Sequence, residues 1–263
     1  MKNHLRAIAL SFGVGFLATG CASLNAAQTA NTMGHGGLQI GLEPAVEAFT
    51  GSNGLGTAYA PRVDLAVRYG ITDSIDIGGK IGTSLVELDG KFQLTDPAKQ
   101  SFVASLAPSI GGFVIGSDGS STGAFTIKLP LLLGIGFGGH QLVIGPNIQD
   151  ILVTASSGGD SGLANEFGVG GSIGVAFRLS DGFRLMPEFG VLVPLTGTAS
   201  SNGDSTSAGI SSAGFLWQAG LTFLFGSYKQ PWALAGTEGL PGAPATPEAG
   251  APPPAAYPPP PGS

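Results

Sequence analysis

The chain has 263 residues, and only 11% of them are charged, against about a quarter in ordinary soluble proteins. Eleven Lys and Arg against 17 Asp and Glu give a net charge of −6 and a pI near 4.9, which leaves no cationic surface for nucleic acid. A single cysteine excludes a disulfide framework and any multi-cysteine metal site.

The chain opens on Lys2, His4 and Arg6, followed by a short apolar stretch from Ala7 to Ala18. That is the layout of a secretory signal, too short for a stop-transfer helix. It runs into Leu17-Ala18-Thr19-Gly20-Cys21, which resembles the lipobox of bacterial lipoproteins, where small residues precede a cysteine that is lipidated and becomes the new N-terminus. Ala18 stands where leucine is commoner, and an ordinary signal cleaved after Ala27 or Ala30 is the alternative. No aspartate follows Cys21, which in the lipoprotein family implies sorting to the outer membrane. The expectation is a signal over 1–20 and a small, polar, disordered tether over 21–37 that carries the lipid.

From residue 38 the sequence acquires a period of two. Leu38, Ile40, Leu42 and Val46 alternate with Gln39, Glu43 and Glu47; Val63, Leu65, Val67 and Tyr69 alternate with Arg62, Asp64 and Arg68. Ile75, Ile77 and Ile81 oppose Asp76 and Lys80, and Val86, Leu88 and Phe92 oppose Glu87, Asp89 and Lys91. Later segments keep the period with fewer charges: Phe125 to Ile135 around Lys128, Phe167 to Phe177 between Glu166 and Arg178, a stretch holding Arg184 and Glu188, and Phe215 to Phe225. Such alternation is that of strands with one apolar and one wet face. Ten segments are predicted, at 38–49, 60–71, 74–82, 85–94, 101–115, 122–137, 140–154, 163–178, 182–197 and 207–225. Connections after even-numbered segments are mostly tight, as at Gly138-Gly139, while 51–56, 116–121, 156–160 and 197–206 read as longer Gly/Ser-rich loops.

Mean hydropathy is +0.31, yet no window supplies the roughly 18 apolar residues of a spanning helix. A bilayer would therefore be crossed by strands, and only a closed ring leaves no backbone edge unpaired in hydrocarbon. A soluble barrel or sandwich with its aliphatics inward satisfies the same periodicity. The scarcity of charge favours the lipid-facing arrangement.

In this alternation, in its loop asymmetry, and in a final segment ending Leu221-Thr222-Phe223-Leu224-Phe225, residues 38–225 resemble the bacterial outer-membrane β-barrel proteins, more narrowly those that are also predicted lipoproteins. The resemblance implies an all-β fold: an antiparallel up-and-down transmembrane β-barrel of about ten strands (8–12) over 38–226. It also implies short turns and both termini on the periplasmic side of the bacterial outer membrane, outer-membrane lipid around the ring, and a last strand read by the outer-membrane assembly machinery. The chain departs from the commonest pattern by continuing past that strand. Residues 227–263 form a proline-rich, disordered tail, expected to meet solvent or a periplasmic or cell-wall partner.

Pro44, Pro108, Pro130, Pro146, Pro187 and Pro194 fall inside the predicted strands, where proline cannot donate to a ladder, so each is expected at a bulge or a strand end. A hydrolase needs a nucleophile beside a base, and the mature chain offers only His35, in the tether, and His140, at a turn where a solvated role is expected. Gly134-Ile135-Gly136-Phe137-Gly138-Gly139 has the letters of a dinucleotide fingerprint, but a strand follows where a helix is required. Asp118, Asp160 and Asp204 lack the spacing of a calcium loop. No catalysis, cofactor or metal is expected.

One constellation remains, a lumen charge network of Glu43, Glu47, Arg62, Asp64, Arg68, Asp76, Lys80, Glu87, Asp89, Lys91, Lys128, Glu166, Arg178, Arg184 and Glu188. It fills a narrow ring, or else lines a slender polar path with room beside Gly168, Gly170 and Gly174. The functional expectation is a lipid-anchored outer-membrane barrel with a structural or interaction role in the envelope. A narrow channel for ions or small solutes, and a soluble periplasmic barrel binding an apolar ligand, are the alternatives.

Overall fold

The computed structural model describes residues 23–50, 56–83, 86–96, 102–117, 120–157, 160–201, 204–209 and 214–227; Cys21, Asp118 and the chain beyond Ser227 lie outside the described residues. The strands are β1 (Leu38–Thr50), β2 (Thr57–Gly70), β3 (Ile75–Gly82), β4 (Val86–Gln93), β5 (Phe102–Leu106), β6 (Ser109–Ser117), β7 (Ser120–Phe137), β8 (His140–Ser157), β9 (Asp160–Ser180), β10 (Phe183–Ser201), β11 (Asp204–Gly209) and β12 (Phe215–Ser227). β5 and β6 share one position between β4 and β7, and β11 extends the hairpin of β10 below which β12 resumes, so twelve strands make ten staves. All pairings are antiparallel. β1 pairs with β2 on one side and β12 on the other, from Leu38↔Ser227 to Thr50↔Phe215, and β9 with β10 completes the ring.

The prolines sit where the ladder lets go. Pro108 occupies the break between β5 and β6, and the neighbouring Ala107 N–H is taken by the Pro130 carbonyl at 3.0 Å. Pro194 marks a register shift against β9. The pairing of β1 with β12 skips Glu43 and Pro44, that of β10 with β9 skips Met186 and Pro187, and the β7–β8 ladder skips the two pairs between Pro130↔Asn147 and Leu133↔Ile144, which include Pro146. Each missing donor is thus matched by a gap in the ladder.

At one end the connections are tight. Phe137 pairs with His140 across Gly138 (φ 56°) and Gly139 (φ 83°), the two left-handed residues that a type I′ hairpin requires. At the other end the expected long loops at 116–121, 156–160 and 197–206 are corrected. They are hairpin extensions, paired to Ser117↔Ser120, Ser157↔Asp160 and Ser201↔Asp204. Serine, threonine and glycine there lower the strand signal without preventing pairing once the flanking strands are in register.

Orientation is inverted relative to a soluble protein. Ile77, Ile81, Val86 and Leu88 are 52–62% exposed, whereas Asp76, Asp64, Lys91 and Arg184 are at 0%. A soluble barrel with an aliphatic interior is therefore not what the chain forms. Aromatic belts flank the apolar band. Near the short turns Phe183 stacks on Phe225 at 4.9 Å, and His140 lies between Phe137 (5.6 Å) and Phe177 (5.9 Å). Towards the other end Trp217 meets Tyr59 at 5.9 Å and Phe189 at 6.2 Å. Trp217 and Phe225 are eight residues apart on β12, ~27 Å along the strand and roughly 20 Å along the axis at ~40° tilt, close to the apolar band of a membrane barrel. His140 is half-buried, with Nδ1 accepting the Arg178 N–H at 3.0 Å, rather than a solvated turn residue.

Candidate functional site

The inner face carries most of the predicted charges, and eleven of them are paired with one another. Arg62 donates to Glu47 at 2.9 Å and to Asp64 at 2.7 Å; Lys80 reaches Glu43 at 3.0 Å, Lys91 reaches Asp76 at 3.3 Å, Lys128 reaches Glu87 at 3.4 Å, and Arg68 pairs with Asp89. Strand alternation points these side chains inward, and bare positions on the same face receive them: a Cβ on Gly82 would collide with the Asp64 carboxylate, and one on Gly78 with that of Asp89. Arg184 is fully buried and donates to the Gly139 carbonyl at 2.9 Å. Glu166 is only partly buried and one of its carboxylate oxygens has no partner among the described residues. Arg178 stands at the short-turn rim, where it pairs with Asp181.

What fills the middle of the ring is the stretch expected to be a disordered tether. Its described part enters from the short-turn end: Gly34 and Gly36 take φ of 77° and 73°, which only glycine adopts at no cost, and fold the chain back from β1 into the lumen. Residues 23–33 are then buried almost throughout, Ala30, Asn25, Asn31 and Thr32 at 0%. They form no strand, so their backbone groups need partners from elsewhere.

The ring's side chains supply them. The Met33 N–H donates to both oxygens of Asp76 (3.0 and 3.1 Å), Thr32 N–H to Gln93 (3.0 Å), Ala30 N–H to Gln141 (2.8 Å), and Leu24 N–H to Gln218 (2.8 Å). Glu188 accepts from Ala26 at 2.6 Å and Ala27 at 2.9 Å. In the other direction Lys91 donates to the carbonyls of Asn31 (2.6 Å) and Thr29 (3.1 Å), Ser105 to that of Ala30, and Lys128 to that of Ser23 (3.0 Å). His35, outside the ring, is fixed to the turn by its N–H on Asp73 (3.1 Å) and its Nδ1 beside the Ile71 carbonyl (2.7 Å).

Apolar contacts complete the fit. Leu24 lies in a cluster with Ala124, Ile151, Val153, Leu192 and Leu216; Ala30 lies in a second with Val103, Leu132, Val143, Met186 and Leu224. The inner face is therefore less uniformly polar than the sequence suggests. The room expected beside Gly168, Gly170 and Gly174 is also taken, by Leu192, Met186 and Glu188. Three other inward glycines are cleared for the segment itself: a Cβ on Gly134 would stand 2.7 Å from Ala30 Cβ, one on Gly190 3.0 Å from Leu24 Cβ, and one on Gly220 2.7 Å from Asn25 Nδ2. A cavity of about 20 Å³, bordered by Ala26, Gln28, Arg68, Lys80, Glu87 and Asp89, has room for one water.

Sequence reasoning found the charges but not the neutral members of the site, Gln93, Ser105, Gln141 and Gln218. Their place in the same alternating row was the available signal. No group of metal-ligating side chains occurs among the described residues.

No protein-family model matches the chain, and no curated protein matches it. Similar solved structures include the translocator domain of the autotransporter NalP from Neisseria meningitidis, at 14% identity and TM-score 0.42 over 85% of this chain and 97% of that one. Others are the outer membrane protease OmpT from Escherichia coli (7% identity, TM-score 0.41, 73% and 95% covered) and the outer membrane protein OprG from Pseudomonas aeruginosa (13%, 0.39, 74% and 99%). The translocator and protease among them say nothing of this chain's activity. By its own geometry the chain is a closed antiparallel barrel, aliphatic outside and ionic inside, filled by its own N-terminal segment.

Proposed function

We propose that this chain is a bacterial outer-membrane barrel with a structural or interaction role in the cell envelope and no catalytic role. The observation that carries the reading is the inverted orientation: aliphatic side chains such as Ile77 and Leu88 face out at 52% and 62% exposure, while ion pairs such as Lys91–Asp76 are sealed within a filled lumen. In this reading the short turns and both chain ends face the periplasm, and the assembly machinery acts on β12. The polar hairpin extensions face outward from the cell as contact surface, and the proline-rich tail reaches a periplasmic or cell-wall partner. Chains acylated at Cys21 are additionally anchored by lipid.

Electrophoresis of the refolded full chain before and after boiling tests the reading, with planar-bilayer recording beside it. Faster migration of the unboiled sample and no discrete conductance are expected. Unchanged migration overturns the membrane barrel, and steady conductance steps from the intact chain overturn the filled lumen in favour of a channel.

A further inference from the structure

The geometry points to the lumen being a binding site for a short peptide, recognised chiefly through its main chain and occupied in the resting protein by the chain's own residues 23–33. The inference rests on the outer-membrane barrel reading and adds a ligand class and an exchange to it.

The contacts are of the kind a receptor makes. Asp76, Gln93, Gln141, Glu188 and Gln218 accept backbone N–H groups, and Lys91 donates to two carbonyls, so the ring reads the peptide backbone along most of the segment. Side chains are read by shape at particular points: Gly134 is bare where Ala30 passes, and Gly190 and Gly220 make room for Leu24 and Asn25. The ring is covalently complete without the segment, because β1 begins after Gly37 and the β1–β12 seam does not include it.

Emptying such a site leaves a wet passage. The groups left behind are carboxylates, ammonium groups and amides, which bind water readily, and water then takes the place of the peptide backbone. Leu192, Leu216 and Ile151, which now pack around Leu24, would then line an apolar stretch of that passage.

The test keeps the full chain. A protease recognition sequence inserted after Gly36, which is exposed at the short-turn rim, permits cutting after the barrel has folded in a bilayer. The uncut protein is expected to be closed. After cutting and a mild urea wash that removes the segment, as read by mass spectrometry, discrete conductance is expected. A synthetic peptide of residues 22–36 added on the short-turn side should abolish it, and the same peptide carrying Ala26→Trp and Ala30→Trp should not. A cut barrel that stays closed after losing the segment overturns the inference, as does a segment retained until the ring itself unfolds, or an opened barrel indifferent to the peptide. Independently, Ala27→Cys with Cys21→Ser should react with a polar maleimide about tenfold or more slowly than a hairpin-tip cysteine, and adding Glu188→Ala should remove most of that protection. Equal rates from the start overturn the site. Failure of the uncut chain to show heat-modifiable migration counts against the membrane reading instead.

Discussion

Glu188 takes the N–H of Ala27 at 2.9 Å, and Ala27 is the one non-glycine residue among those described with positive φ, at 50°. The left-handed turn aims two successive N–H groups, of Ala26 and Ala27, at one carboxylate. Glu188→Ala is expected to leave both donors unpaired and weaken the hold on the segment by about 2 kcal/mol or more. Ala27→Gly, which removes the steric cost of αL, should strengthen it by up to about 1 kcal/mol. Urea dependence of proteolysis within the segment reads both, and shifts of the same sign would contradict the account.

Inward glycines should separate into two kinds. Gly190→Val strikes Leu24 and Gly220→Val strikes Asn25, so both should displace the segment while the ring stays heat-modifiable. Gly170→Val strikes the Val191 carbonyl of the neighbouring stave and should destabilise the ring itself. Limited proteolysis of the segment beside gel mobility of the barrel distinguishes them.

Lys91 serves Asp76 at 3.3 Å and the carbonyls of Thr29 and Asn31. Lys91→Met leaves a buried carboxylate without its cation and is expected to cost about 3–5 kcal/mol. The double variant with Asp76→Asn should cost less than the sum of the two single changes, because each alone strands the other's charge. Denaturant titration of folding in lipid vesicles measures the cycle.

On the outer face, Leu65→Arg near the middle of β2 should cost about 2–4 kcal/mol, and Tyr59→Arg in the aromatic belt about 0–1 kcal/mol. Equal penalties would mean that the band between the belts does not lie in hydrocarbon.

The ring was legible because a strand between two unlike solvents must alternate, and Arg62, Asp64, Asp76 and Lys80 announce the wet face residue by residue. Strand ends at 116–121 and 197–206 were not, since serine and glycine there read as loop until partners at Ser120 and Asp204 hold them. The segment over 23–33 was least legible. Its own composition is that of a linker, and every partner that fixes it is distant in sequence, Gln218 being 194 residues from Leu24. The clue lay on the other side of the contact, in glycines such as Gly134, Gly190 and Gly220 on a face where side chains were to be expected.

The placement of Ser23 bears on the cysteine just upstream. Ser23 is 1% exposed and its carbonyl is bound by Lys128, and only Ala22 separates it from Cys21. Two residues span at most about 7 Å, so a diacylglycerol on that sulfur would be held against the ionic interior, away from any leaflet. Greasy anchor and seated segment are thus rival fates of one chain end. Metabolic labelling with palmitate should mark only molecules whose residues 23–33 are open to limited proteolysis, making the lipidating enzyme the arbiter of which barrels stand stoppered.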